Sequence, residues 1–365
     1  MTLFRLLGFI HSKTLLKPVL IILMGAASGP IQGSIWQTVE PTDSPVCNPL
    51  KGFVCYAEDY DVFPYSLEYE PLPVNAVQTG YESFDWTALE TVLNTIASRG
   101  HQALIKFTYD NPATPSGIPE FLSHVPVQTY TDYQENTPED SRSVSPDYEH
   151  TDFKRAMFSF IAALGASYDG DPRIGFVELG LVGFWGEWHT YPHGEWMPTE
   201  ATQNAVMEAY DNAFNTTCVL VREPRHNSPS YNIGYHDDSF VFSTYDNLPP
   251  DTDWYHYPKL VALNETNKWT SCPMGGELRP ELQETLWNTP SCSFTHPTEL
   301  HTQTWNEAVE LTHASWMLVS HAFWPGYSGE AHTRALEGSR NSATRSGLMH
   351  GWPSLFRPQK TSGLP

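Results

Sequence analysis

The chain has 365 residues, of which 40% are hydrophobic and 13% aromatic, and its formal net charge is −22. This apolar content can build a large core and argues against general disorder, and the length fits one barrel domain of roughly 250 residues or more with short appendages. The negative charge argues against nucleic acid as a partner, because phosphate binding requires clustered Lys and Arg. A neutral ligand is compatible with this charge, and abundant aromatic rings suit sugars, whose apolar faces can lie on indole and phenol rings.

Residues 1–29 have the order of a secretory signal peptide. Arg5, Lys13 and Lys17 come first, an apolar run follows at 18–24, small residues occupy 25–29, and the segment contains no acid. A membrane anchor is the alternative, but the apolar run is far shorter than the ~20 residues that cross a bilayer. We therefore expect a secreted, extracellular protein with no stable membrane span after signal removal.

Five cysteines fit an oxidising compartment but not a dense disulfide scaffold. Pairing cannot be read from the sequence. Short separations favour Cys272 with Cys292 and, second, Cys47 with Cys55, which leaves Cys218 free. Because no CxxC or matched His spacing occurs, a structural zinc is not expected, and no cofactor is expected either.

Strand patterns alternate with helical patterns between residues 45 and 330, which we assign to one domain. Strands are predicted at 52–57, 66–72, 102–109, 174–182, 218–222, 233–242, 271–278 and 316–323, and helices at 84–99, 152–168, 199–214 and 304–314. The run at 174–182 is almost continuously apolar, as in strands buried on both faces. Alternation predicts a parallel sheet, and eight strands predict closure into a (β/α)8 barrel of the TIM type, an α/β fold.

Two segments fall outside this alternation. The stretch 111–149 is rich in Pro, Thr, Asp and Ser and is predicted to be a long loop, a feature that is often functional. Residues 331–365 contain five basic residues, one acid and little periodicity. No packed element is expected there, so the segment is either a flexible tail or the end of a truncated or altered chain.

Two carboxylates stand near strand ends, where the active sites of such barrels form. Glu187 follows the fourth strand in the run GFWGEWH at 183–189, and Glu277 lies at the end of the seventh. Retaining glycosidases use two carboxyl groups about 5 to 5.5 Å apart. We predict Glu187 as the acid/base, desolvated between Trp185 and Trp188, and Glu277 as the ionised nucleophile. Ordinary turn chemistry with a solvated Glu is the alternative for each.

Other residues at the predicted strand ends are candidates for contacts to the sugar. They are Lys106, Tyr109, Trp185, Trp188, His189, Arg222, His236, Asp237 and Trp324. Each has a structural alternative. Lys106 and Tyr109 could span barrel interior and rim, and Arg222 could pair locally with Glu223. The polar run 236–238 could be an exposed turn, and Trp324 could be a buried rim residue. Pro192 argues against a helical metal pair of His189 and His193.

Four short segments resemble a family of secreted proteins of unknown function that carry a glycosidase-like barrel. The segments are 48–53, 103–109, 179–189 and 275–277, the run GFWGEWH is the most specific of them, and the resemblance covers residues 47–330. It implies a barrel akin to the large retaining-glycosidase clan, whose acid/base follows the fourth strand and whose nucleophile follows the seventh. Glu187 and Glu277 occupy those positions.

The chain departs from these relatives in two ways. The clan has Asn before its acid/base, where this chain has Gly186, so the contact to the sugar 2-hydroxyl is missing or supplied elsewhere. Members of the family also continue into a small β-rich C-terminal domain, which the segment 331–365 does not resemble.

The residues thus indicate three functions in order. The first is a secreted glycoside hydrolase, and the second is a non-catalytic barrel of the cell surface or matrix that grips sugar with Trp185, Trp188 and Trp324. In both, the partner is an oligo- or polysaccharide. The third is a structural protein of the surface or matrix, which a mouth plugged by side chains would favour.

Overall fold

The computed structural model describes residues 50–245, 254–297 and 301–345. The predicted signal peptide, Cys47 and residues 346–365 lie outside the described residues. Eight strands form a closed barrel in which each strand is adjacent to the next in sequence and the eighth is adjacent to the first. The strands are β1 (Gly52–Tyr56), β2 (Leu67–Pro73), β3 (Gln102–Thr108), β4 (Ile174–Glu178), β5 (Cys218–Arg222), β6 (Ile233–Phe240), β7 (Met274–Leu278) and β8 (Trp316–Leu318).

All eight neighbouring pairs are parallel, so the predicted (β/α)8 barrel is confirmed. The helices are α1 (Thr87–Ser98), α2 (Thr151–Tyr168), α3 (Glu200–Ala213), α4 (His256–Ala262), α5 (Pro280–Gln283), α6 (Trp305–Thr312) and α7 (Gly329–Arg345). The described connections from β1 to β2 and from β5 to β6 carry no α-helix. The predicted loop 111–149 contains an antiparallel hairpin of Val127–Thr129 and Val144–Pro146.

Several predicted strand bounds differ from the structure. The fourth strand ends at Glu178 instead of 182, and the seventh begins at Met274 instead of 271. The eighth strand ends at Leu318 and a 3-10 turn, Ser320–Phe323, follows it. The apolar run continues past the strand because Ala322 and Phe323 are buried in the turn. The segment from 331 also contains a packed element, since α7 extends to Arg345.

Helix α7 escapes prediction because small residues make its contacts. Ser339 and Ser342 are fully buried. Ser339 Oγ accepts a hydrogen bond from the Phe53 backbone N–H at 3.1 Å, and the carbonyl of Gly338 accepts one from Trp305 Nε1 at 3.2 Å. Because this face consists of Ser, Gly and Ala, the sequence shows no apolar periodicity that would predict a helix.

Alternate residues of the barrel strands point inward, and they form two layers. The lower layer is apolar and contains Val54, Leu67, Leu104, Phe176, Leu220 and Trp316, which belong to one buried cluster. Two residues further along each strand, towards its C-terminal end, lie the side chains of the upper layer. That layer is largely polar and includes Tyr69, Lys106, Glu178, Arg222, His236 and Glu277. The barrel therefore has an apolar floor beneath a charged mouth.

The predicted disulfide between Cys272 and Cys292 does not form, because both residues are free thiols. Cys272 precedes β7 and Cys292 follows it. The strand carries the chain from one end of the barrel to the other, so these cysteines lie at opposite ends. Cys55 and Cys218 are also free. None of the helices in the described ranges has the length and apolar character needed to cross a membrane.

Candidate active site

A buried ion pair occupies one side of the mouth. Lys106 Nζ lies 3.0 Å from Glu178 Oε2, and the two side chains are 4% and 5% exposed. The β3–β4 register places these residues directly opposite each other. Burial lowers the pKa of Lys106, but Glu178 and Tyr69 outweigh burial and hold it well above the usual range. Lys106 is therefore a fixed positive charge in the mouth.

A second charged group comes from β6. His236 Nδ1 lies 2.6 Å from Asp238 Oδ1, and Asp238 Oδ2 lies 3.7 Å from Arg222 Nε on β5. Burial raises the pKa of Asp238, but His236, Lys106 and Arg222 outweigh it and hold that pKa well below the usual range. The pKa of His236 is raised despite burial, chiefly by Asp238. These residues thus form an ionised pair, not an exposed turn.

Glu187 lies in a tight turn that folds back over the end of β4. Gly183, Trp185 and Gly186 have φ values of 80°, 52° and 69°. A Cβ atom at Gly186 would lie 2.1 Å from the Gly180 carbonyl oxygen. No side chain fits at position 186, which explains why Asn is absent before Glu187.

Two donors hold the Glu187 carboxylate, which is 19% exposed. Arg222 Nη1 lies 3.4 Å from Glu187 Oε2 and also donates to the Glu187 carbonyl at 3.0 Å. His189 Nε2 lies 3.3 Å from the same Oε2. Because the backbone N–H of Tyr191 donates to His189 Nδ1 at 3.3 Å, the pattern assigns the ring proton of neutral His189 to Nε2. His189 therefore donates to Glu187.

Glu277 lies on β7 in a different environment. Within the described residues, no Lys or Arg forms a salt bridge with it. Burial, followed by the charges of Glu187 and Asp238, raises the pKa of Glu277 well above its usual range, and Lys106 opposes this only in part. This direction favours the protonated form of Glu277, whereas the sequence-based expectation is an ionised group. The catalytic role of Glu277 stays a prediction.

The space beneath the carboxylates is nearly filled. A cavity of about 10 Å³ is lined by Tyr69, Leu104, Lys106, Glu178, Asp238, Gly276, Glu277, Trp316 and Leu318. Such a volume holds about one water molecule. Space for any ligand of that size or larger lies above this layer, where Glu187 and Tyr56 are partly exposed. The packed floor is usual for a barrel of this type and does not by itself indicate a structural protein.

Three predicted sugar contacts do not reach the mouth. Tyr109 is buried between β3 and α2, with its ring 4.7 Å from that of Phe153. Asp237 points away from the barrel interior and accepts a hydrogen bond from Thr244 Oγ1 at 2.7 Å. Trp188 is buried and donates from Nε1 to the Leu179 carbonyl at 2.6 Å. These side chains stabilise the fold and are not available to a ligand.

The other predicted residues lie in or around the mouth. Lys106, Arg222 and His236 belong to the charged layer, and His189 contacts Glu187. Trp185 is half-buried beside them. Trp324 is half-exposed on the loop after β8 and packs on His321 with 3.7 Å between ring centroids. No group of three or more potential metal ligands occurs within the described ranges.

The sequence did not identify Glu178 as a residue of the mouth. It lies inside an almost continuous apolar run, which is typical of a buried strand. The available signal was spacing, since Glu178 follows inward-facing Phe176 by two residues, as Lys106 follows Leu104 and Arg222 follows Leu220.

No protein-family model and no curated protein matches this sequence. Solved structures with a similar chain path are glycoside hydrolases. An endoglucanase from Pseudomonas stutzeri is 12% identical, with 75% of this chain and 81% of that chain covered and a TM-score of 0.39. Endo-glycoceramidase II from Rhodococcus sp. is 11% identical, with 72% of this chain and 66% of that chain covered and a TM-score of 0.41. The catalytic domain of a β-amylase from Paenibacillus polymyxa is 8% identical, with 78% of this chain and 91% of that chain covered and a TM-score of 0.45. At these identities the likeness concerns the fold alone, so function must be inferred from the residues of this chain.

Proposed function

We propose that the protein is a secreted glycoside hydrolase in which Glu187 and Glu277 form the catalytic pair. One observation carries this proposal: two carboxyl groups at one barrel mouth have opposite electrostatic environments. Glu187 contacts Arg222 and His189, whereas burial and neighbouring carboxylates raise the pKa of Glu277. Paired carboxyl groups with opposed environments are the usual arrangement for acid/base work on a glycosidic bond.

Contacts connect the two carboxyl groups. Arg222 bridges Glu187 and Asp238, and Asp238 lines the same small cavity as Glu277. Glu187 is also the foremost charged neighbour that acts on Glu277. The retaining mechanism is part of the proposal and rests on the placement of Glu187 after β4 and of Glu277 on β7.

We propose roles in reverse of the sequence-based expectation, because Glu187 contacts Arg222 whereas burial raises the pKa of Glu277. The Glu187 carboxylate attacks the anomeric carbon, and the proton of Glu277 passes to the leaving oxygen as the glycosidic bond breaks. Water then attacks the glycosyl ester on Glu187 and gives a proton to the Glu277 carboxylate, which restores both groups. The sugar is released with its anomeric configuration retained.

The test is hydrolysis by matched variants. Purified protein is incubated with a panel of neutral oligo- and polysaccharides, and new reducing ends are measured. We expect Glu187→Gln and Glu277→Gln each to lower turnover by at least about a hundredfold, with unchanged circular dichroism. Glu208→Gln, an exposed carboxylate on α3, is the control and should retain full activity. Normal turnover by both site variants would refute the proposal.

A non-catalytic sugar-binding barrel is the second candidate. The observation that favours it is Gly186, which stands where the retaining-glycosidase clan has Asn before its acid/base. In that case the wild type binds oligosaccharides but releases no reducing ends, and Glu277→Gln changes neither result.

Secretion belongs to the same proposal and rests on the sequence of residues 1–29. We expect protein recovered from the medium of its producing cells to begin after that segment. Sequencing of the mature N-terminus would test this, and a mature chain that starts at Met1 would contradict it.

A further inference from the structure

We propose that Tyr133, Trp185 and Tyr191 form an aromatic platform that binds the sugar unit next to the reacting one. The substrate is then a neutral oligo- or polysaccharide and not a single sugar on a small leaving group. The location of the reacting unit rests on the proposed function above. Binding of a saccharide by the platform does not, so the two can be tested separately.

The three residues lie around His189. The backbone N–H of Tyr191 donates to His189 Nδ1 at 3.3 Å, and Tyr191 is also a neighbour that acts on Tyr133. The side chains of Tyr133 and Tyr191 are 44% and 70% exposed. The rings of Tyr133 and Trp185 have centroids 4.8 Å apart, and Trp185 lies 6.0 Å from the ring of His189, which contacts Glu187. The His189 ring therefore lies between Trp185 of the platform and the Glu187 carboxylate.

The platform is held rigidly, although it comes from two loops. Tyr133 and Trp185 both adopt left-handed backbone conformations, with φ values of 63° and 52°. Bulky residues adopt such conformations only where surrounding structure imposes them, and these positions cluster at functional sites. The surrounding structure thus presents two aromatic rings to solvent at a cost in backbone energy.

Contacts between the loops impose this arrangement. Tyr130 stacks on Phe184 with 4.6 Å between ring centroids. The Phe184 ring lies 6.2 Å from that of Tyr133 and 6.3 Å from that of Trp185. Asp132 Oδ2 lies 2.8 Å from His193 Nε2, and the His193 ring stacks on Trp196 at 3.8 Å. The loop 111–149 and the loop that carries Glu187 are therefore joined, and the platform spans the junction.

The chemistry of the patch suits a neutral sugar. Exposed aromatic faces bind the apolar faces of pyranose rings, while nearby polar groups can contact hydroxyls. The charged neighbours that act on Tyr133 are Asp132, Glu187 and Arg279. With two carboxylates to one guanidinium locally and a net charge of −22 overall, a polysaccharide rich in carboxylate or sulfate would be repelled.

Affinity electrophoresis tests the platform apart from catalysis. The background is the Glu187→Gln, Glu277→Gln double variant, and the gels contain barley β-glucan, galactomannan, arabinoxylan or starch. We expect at least one polymer to retard the background protein. Tyr133→Ala and Tyr191→Ala should each weaken that retardation about threefold to tenfold. Val261→Ala, an exposed apolar change on α4, should have no effect.

Thermal unfolding of each variant shows whether lost retardation reflects lost folding, and Tyr191→Ser provides a second substitution at the most exposed ring. Equal retardation of background, Tyr133→Ala and Tyr191→Ala would overturn the platform, and so would the failure of all four polymers to retard the background. Neither result bears on whether Glu187 and Glu277 hydrolyse a glycoside, which the turnover assay decides.

Discussion

At the scale of single residues, neighbours decide what each carboxyl group in the mouth can do. Glu187 has Arg222 and His189 against its oxygens. Glu277 instead faces Glu187 and Asp238 across a packed interior. In the proposed mechanism the same functional group is therefore a nucleophile at Glu187 and a proton donor at Glu277.

The raised pKa of Glu277 predicts a pH-dependent stability. The folded state holds this proton at pH values where the unfolded chain has released it, so the contribution is complete below the ordinary Glu range and is lost as pH rises through the folded pKa. Glu277→Gln removes this dependence. We expect the variant to gain stability over the wild type as pH increases from about 4 to 8.

Urea unfolding at each pH measures this difference. Glu208→Gln serves as the control, because Glu208 is exposed on α3 and should follow the wild type. A constant offset between Glu277→Gln and the wild type across the pH range would show that folding does not raise the pKa of Glu277.

Among the single residues predicted at the barrel mouth, some lie there and others do not. Lys106, Arg222 and His236 lie at the mouth, as their positions at or near predicted strand ends indicated. Tyr109 and Asp237 were misplaced, since strand ends alone do not reveal which alternate residues face inward. The roles of Glu187 and Glu277 depend on Arg222, which is distant in sequence, and so needed the fold.

At the scale of elements, the loop 111–149 is attached to the end of β3 through a buried acid. Asp110 is fully buried and accepts hydrogen bonds from the hydroxyls of Tyr130 and Ser143, the latter at 3.1 Å. Burial raises the pKa of Asp110 to about 6, although hydrogen bonds from Tyr130, Ser145 and Ser143 oppose it. The attachment of the loop is therefore sensitive to pH.

Because folding raises the pKa of Asp110, this group stabilises the folded protein most at low pH. The contribution of Asp110 is complete below about pH 4 and is lost as pH rises through about 6, amounting to roughly 2–3 kcal/mol. We expect amide exchange in the loop 111–149, corrected for intrinsic rates, to be faster at pH 7.5 than at pH 4.5. Asp110→Asn should remove most of this difference, whereas Asp61→Asn, at an exposed acid, should preserve it. Equal protection of the loop at both pH values in the wild type would contradict this account.

Helix α7 packs through Gly338 against two tryptophan rings. A Cβ atom at Gly338 would lie 2.8 Å from ring atoms of Trp287 and 3.2 Å from Trp305 Nε1. Both rings are fully buried and have little room to move. We expect Gly338→Val to lower the free energy of unfolding by about 1–3 kcal/mol in urea titrations.

Gly194 is the matched control, because a Cβ atom there would meet nothing within 4 Å. Gly194→Val should therefore unfold at the same urea concentration as the wild type. Equal midpoints for the two variants would mean that α7 does not pack on these tryptophans.

At the scale of the whole molecule, alternation of strand and helix was sufficient to predict the barrel, because eight parallel strands have few ways to bury both faces. The mouth was less predictable. Glu178 is hidden in an apolar strand, and α7 packs through Ser and Gly, so neither gives a periodic signal. Tyr133 reaches the mouth only because the loop 111–149 folds against the Glu187 loop, and such long-range docking leaves no local pattern.

In the proposed mechanism the Glu187 carboxylate attacks the sugar while Glu277 donates the proton. The most direct measurement is first-turnover release of the leaving group from two glycosides of the sugar found in the hydrolysis screen, one with a 2,4-dinitrophenyl group and one with an unactivated alcohol. A dinitrophenolate leaving group needs no proton. We expect Glu277→Gln still to release dinitrophenolate but not to cleave the unactivated glycoside. We expect Glu187→Gln to cleave neither glycoside. Release of dinitrophenolate by Glu187→Gln but not by Glu277→Gln would contradict this mechanism.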